Sequence, residues 1–156
     1  MLAAPYCFGL VLVLVGVSYR DLMATRRLWA LREPFLATPV PLDGEAEASA
    51  PAARARVAEL NEATIEIGGG LARAGLVARA CAKAALSVGA LGALLDGAAL
   101  LEGGVAPVAA PLLSFVGGCG GALGCMWLGR AAEHEARRLR SAWSALIRQS
   151  TRDVRT

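Results

Sequence analysis

Apolar residues run almost without interruption over residues 1–19 and again over residues 84–129. Neither stretch contains a Lys or Arg. The first is just long enough to cross a bilayer once, and the second suits two crossings of about twenty residues each with a tight turn between them. Glu102-Gly103-Gly104 supplies that turn and divides the stretch into spans at 84–101 and 105–129. Outside the spans the pattern becomes amphipathic. Residues 20–36 set Leu22, Leu28, Trp29 and Leu31 among arginines, as in a short helix lying on a membrane surface. Residues 37–53 hold Pro39, Pro41 and Pro51 among small and acidic residues and read as a flexible linker. Val57, Leu60, Thr64, Ile67 and Leu71 recur at helical spacing, so residues 54–83 form a helix leading into the second span. Gly68, Gly69 and Gly70 are expected to bend or break it. Residues 130–156 prolong the third span as an amphipathic helix and a fraying tail. Its stripe is Ala132, Ala136, Leu139, Trp143, Leu146 and Ile147, and Glu133 sits four residues before Arg137.

The predicted fold is therefore all-α: an integral membrane protein of three transmembrane helices with long cytoplasmic helical extensions. Composition agrees. Of the 156 residues, 56% are hydrophobic and 19% charged, more apolar and less charged than a soluble domain. The 18 glycines fit as well, because Gly is more frequent in membrane helices than in soluble ones. The net charge of +3 is mild, and its basic residues flank the spans instead of alternating with aromatics, which argues against nucleic-acid binding.

The distribution of charge sets an orientation. Arg20, Arg26, Arg27 and Arg32 follow the first span. Arg73, Arg79 and Lys83 precede the second, and Arg130, Arg137, Arg138 and Arg140 follow the third. Basic residues accumulate on the cytoplasmic side. The N-terminus and the 102–104 turn are then expected outside and the C-terminus inside, in a multi-pass protein of a bacterial inner membrane. No basic residue precedes the first apolar run, so it reads as an uncleaved anchor rather than a signal peptide.

Soluble-enzyme chemistry is not expected. Cys7, Cys81, Cys119 and Cys125 form no CxxC pair and read as small core residues. The single histidine, His134, lies among charges with no second His or Cys cluster, which gives no metal site, no nucleophile–base pair and no cofactor. The triple glycine is not followed by GK[ST] and is no phosphate loop. The informative residues lie in the spans. Gly117/Gly121 and Gly120/Gly124 are overlapping GxxxG pairs, with Gly118 alongside. They offer a flat helix face, either to the second span or to another subunit. Asp96 is the one acid well inside a span, where a carboxylate costs about 3 kcal/mol unless paired or hydrated. Ser87 and Ser114 could line a water path or bond their own helices.

This order of elements resembles the MotA/TolQ/ExbB proton-channel family. Residues 59–80 (ELNEATIEIGGGLARAGLVARA) look like its helix leading into the second span. Residues 85–95 (ALSVGALGALL) are similar to its small-residue segment PLLGLLGTVxGM, and 110–124 (APLLSFVGGCGGALG) to its third span ALxTTxxGLxxAI. The basic run 130–140 then matches the cytoplasmic continuation. The resemblance implies a non-enzymatic channel or stator subunit. Copies, near five in number, would surround a single-span partner resembling ExbD, TolR or MotB, and ion flow would be coupled to force or transport. The pore-lining candidates it implies are Ser87, Ala93, Asp96 and Ser114, with Gly117, Gly120, Gly121 and Gly124 packing the helices. The chain departs from the pattern: Ala93 stands where the family has its second-span Thr, Ala85 replaces the proline, and at most one hydroxyl of the third-span Thr pair survives. These losses favour an alternative, a non-conducting structural or accessory subunit of a larger envelope complex. A solute transporter would need inverted repeats, which three spans cannot supply alone.

Overall fold

The computed structural model describes residues 3–33, 46–103 and 108–153, with the side chains of 58–148 and 3–33 outside the turn at 104–107. All regular structure among the described residues is helical. Helix α1 spans Ala4–Arg27 and is followed by a 3-10 turn at Ala30–Arg32. Helices α2, α3 and α4 span Ala46–Arg73, Leu76–Leu101 and Ala110–Asp153. Three segments contain helix long and apolar enough to cross a membrane: Ala4–Arg32, Ala58–Leu101 and Ala110–Arg148. Only 17%, 22% and 39% of their most apolar windows is buried within the protein. Most of that apolar surface therefore faces outward, the inverse of a water-soluble bundle.

Several boundaries differ from those expected. The first span does not stop at Tyr19, because nothing between Tyr19 and Arg27 breaks a helix, and α1 runs through to Arg27. Leu22 is buried against Leu128 and Ala132. Leu28, Trp29 and Leu31 pack on a protein core with Ile67, and so are not the membrane-lying face of a surface helix. The expected linker is helical from Ala46, whose run of Ala and Glu carries high helix propensity. Residues 37–45 of it lie outside the described residues. The triple glycine causes no break. Each helical Gly costs about 1 kcal/mol against Ala, which flanking turns can absorb, and α2 passes through all three. The interruption falls at Gly75, whose φ of 78° is open to glycine and strained for other residues. Helix α3 thus starts at Leu76, and Arg79 and Lys83 belong to it. At the other end Gly103, with φ 76°, terminates α3 in the expected turn. Helix α4 begins at Ala110 rather than residue 105 and continues without interruption to Asp153.

The chain divides into two compact units, Met1–Met23 with Gly75–Ala132, and Ala24–Ala74 with Glu133–Thr156. The first unit packs α1, α3 and the N-terminal part of α4 around Val11, Cys81, Ala82, Ala85, Ala122 and Cys125. Small residues dominate this core, so the helices approach closely. The second unit joins α2 to the C-terminal part of α4 through Ala63, Ile67, Leu139 and Trp143. Thr64 accepts a hydrogen bond from the Trp143 indole at 3.2 Å while donating to the Leu60 carbonyl at 2.7 Å. The buried indole N–H thereby has a hydrogen-bond acceptor in Thr64.

Candidate functional site: a buried carboxylate at a helix end

Asp96 is 2% exposed, in the last two turns of α3. Its position on α3 turns it toward Ser114 of α4 and the start of α1. The Ser114 hydroxyl donates to Asp96 Oδ2 at 2.9 Å, and the Ala3 backbone N–H donates to Oδ1 at 2.9 Å. The first N–H groups of a helix have no partner inside it and carry partial positive charge. Asp96 therefore serves as a cap for α1 supplied from another helix. Pro5 in the first turn removes one further donor that would need satisfying. Both carboxylate oxygens are engaged, and Ser114, only 3% exposed, is engaged with them.

The opposite end of the same helix pair repeats the arrangement. Asp21, near the C-terminus of α1, accepts the Gly75 N–H at 3.1 Å and also bonds the Ala78 N–H. Gly75 is the N-cap position of α3. Helices α1 and α3 thus run antiparallel, and each carries near its C-terminal end a carboxylate that caps the N-terminus of the other. This reciprocal clasp accounts for the buried acid by structure alone: its charge lies against a helix dipole and two hydrogen-bond donors.

Beside Asp96 the helices touch almost backbone to backbone. A Cβ on Gly89 would lie 2.6 Å from Gly118 Cα, and one on Gly92 would lie 2.5 Å from Cys7 Sγ and 3.1 Å from Ser114 Cβ. The 2.6 Å separation to Gly118 backbone is one that real Cβ atoms do not show, so Gly89 permits the α3–α4 approach that brings Ser114 to Asp96, and Gly92 leaves room for Cys7 of α1.

Of the four pore-lining candidates, the structure brings together Asp96 and Ser114. Ser87 is exposed, and its hydroxyl donates to the Lys83 carbonyl of its own helix at 3.1 Å. Ala93 is half-buried and adds no polar atom. The glycine face is divided. Gly117, Gly121 and Gly124 face Phe8, Val11 and Val15 of α1, Gly118 faces α3, and a Cβ on Gly120 would meet nothing within 4 Å. The packing partner of the GxxxG face is thus chiefly the first span, where the sequence pointed to the second span or another subunit. Sequence reasoning also passed over Asp21, Gly75, Gly89 and Gly92. The available signal was that Asp21 and Asp96 sit near the C-terminal ends of two apolar helices, where a carboxylate is unfavourable to its own helix dipole and needs another purpose.

The cysteines are all free, with Cys81 and Cys125 in the small-residue core. His134 is exposed. No group of three or more His, Cys, Asp or Glu side chains that could hold a metal ion occurs among the described residues. No family model, curated protein or solved structure matches the chain.

Proposed function

We propose that the protein is a multi-pass membrane subunit with a structural rather than an ion-conducting role, a non-conducting accessory component of a larger envelope complex. The observation that carries this reading is the state of Asp96. A side-chain-lined ion path needs a carboxylate or hydroxyl open to water, whereas here Asp96 Oδ1 accepts the Ala3 N–H that opens α1 and Oδ2 accepts the buried Ser114 hydroxyl. The remaining hydroxyl of the pair, Ser87, lies on an exposed face and bonds its own helix, so it and Ser114 do not share one path. The three apolar helices cross the bilayer. The basic clusters after α1, before α3 and after the third span stay in the cytoplasm, with the N-terminal end of α1 and the Glu102–Gly103 turn outside.

Proton flux into liposomes separates this reading from the channel reading that the MotA/TolQ/ExbB resemblance implies. Reconstituted protein, alone and with single-span candidate partners, is expected to give the flux of empty liposomes, and Ser114→Ala is expected to leave it there. Flux well above that level, lowered by Ser114→Ala or Ser87→Ala, would replace the structural role with conduction. Such a result would also direct attention to a partner whose membrane helix carries the proton-accepting carboxylate.

A further inference from the structure

Within the second unit a cleft of about 150 Å³ opens between α4 and the C-terminal end of α2, lined by Leu71, Ala74, Glu133, Ala136, Arg137 and Arg140. By volume it would hold about five water molecules. That is too small for a drug-sized ligand and enough for one phosphate group with a short polar stub.

The hydrogen-bonding capacity of its two arginines is unused. Arg137 and Arg140 are exposed and stand three residues apart on α4, where side chains are neighbours and like charges repel. Arg137 approaches Glu133 only to 3.8 Å, an ion pair too long for a hydrogen bond, and its side chain is 81% exposed. Glu133, with its side chain 22% exposed, is engaged further within the protein. Among the described residues the Arg140 guanidinium makes no ion pair, and neither arginine side chain donates to the last carbonyls of α2. They are therefore not caps for that helix. Each guanidinium is a planar fork of donors that matches paired phosphate oxygens, and Leu71, Ala74 and Ala136 offer apolar wall beside them.

We propose that this cleft binds the phosphate of an anionic phospholipid from the cytoplasmic leaflet. Depth selects a lipid over a soluble phosphate. Counted along α4, Arg137 and Arg140 lie eight and eleven residues past Gly129, where the apolar run ends, or about 12 and 16 Å. Helical side chains lean back over the turn on their N-terminal side, which for α4 is the membrane side. One turn of about 5 Å brings the Arg137 guanidinium within the headgroup layer, about 5–8 Å deep, and Arg140 just outside it. The site requires no ion conduction, and binding in detergent does not depend on which way the chain is inserted.

Native mass spectrometry of the full-length protein in a neutral detergent tests this. Wild type is expected to retain one phosphatidylglycerol under conditions that strip phosphatidylcholine. Arg137→Gln with Arg140→Gln is expected to weaken that binding about tenfold or more. Arg26→Gln with Arg27→Gln removes the same charge from exposed positions outside the cleft and is expected to change it less than about twofold. Ala74→Leu fills the cleft and keeps every arginine, so it is expected to abolish retention without changing net charge. Equal losses in the two arginine variants would replace the site with a diffuse attraction to anionic lipid. Retention by Ala74→Leu would remove the cleft from the account. Displacement of the lipid by an equal concentration of inorganic phosphate would make the occupant a soluble phosphate. Wild type that retains no phosphatidylglycerol would overturn the proposal outright.

Discussion

Replacing Asp96 by Ala is expected to destabilise the first unit by about 2–4 kcal/mol, one of the two largest effects in this protein. The substitution removes the acceptor of two donors at once. The Ala3 N–H loses its cap, worth about 1 kcal/mol, and the buried Ser114 hydroxyl is left unsatisfied at a further cost of about 1–3 kcal/mol. Asp96→Asn keeps an acceptor of the same shape and loses the charge facing the helix dipole, so its cost is expected near 1 kcal/mol. Ser114→Ala removes a donor whose acceptor retains the Ala3 N–H, and is expected to cost about 1 kcal/mol. The double variant Asp96→Ala/Ser114→Ala is then expected to be more stable than the sum of its parts, because the orphaned hydroxyl disappears. Unfolding by denaturing detergent, followed by loss of helicity, measures all four. Additive costs, or an Asp96→Ala cost below about 0.5 kcal/mol, would show that the clasp contributes little.

The second large effect is expected at Gly89. A valine there directs its Cβ into Gly118 Cα and the Ser114 carbonyl oxygen, and both of these are backbone that cannot rotate away. Helices α3 and α4 must separate, which is expected to cost about 3 kcal/mol or more and to pull Ser114 from Asp96. Gly120→Val is the matched control. Gly120 is an open position on the exposed side of α4, and the same side chain there is expected to change stability by less than about 0.5 kcal/mol. Unfolding of the two variants side by side decides the matter: equal stabilities would mean that α3 and α4 are not packed backbone to backbone.

These two sites mark the limit of what was legible in the sequence. The apolar runs gave three helices, and the stripe through Leu139 and Trp143 gave the face that α4 buries. Charge-free runs could not give lengths, because a helix does not end where a membrane would: α1 passes its arginines and α4 passes Arg130 without a break. Glycine misled in a specific way. Gly68, Gly69 and Gly70 looked like a break because they are consecutive, yet a break requires a backbone angle that only tertiary context imposes, and that angle falls at Gly75. Asp96 and Ser114 were both visible as polar residues within spans. Their partnership was not, because it depends on the α3–α4 approach at Gly89 and on a helix end ninety-three residues away in sequence. Asp21 was passed over, since nothing local distinguishes a capping carboxylate from a solvated one.

The central claim is that three helices of this chain cross a membrane with their basic flanks on one side. Reporter domains fused after Leu36, inserted at Gly103 and fused after Thr156 test it in living bacteria. The first and third are expected to report the cytoplasm and the second the outside. A Gly103 reporter found on the same side as the other two, or recovery of the unfused protein in the supernatant after ultracentrifugation without detergent, would contradict it.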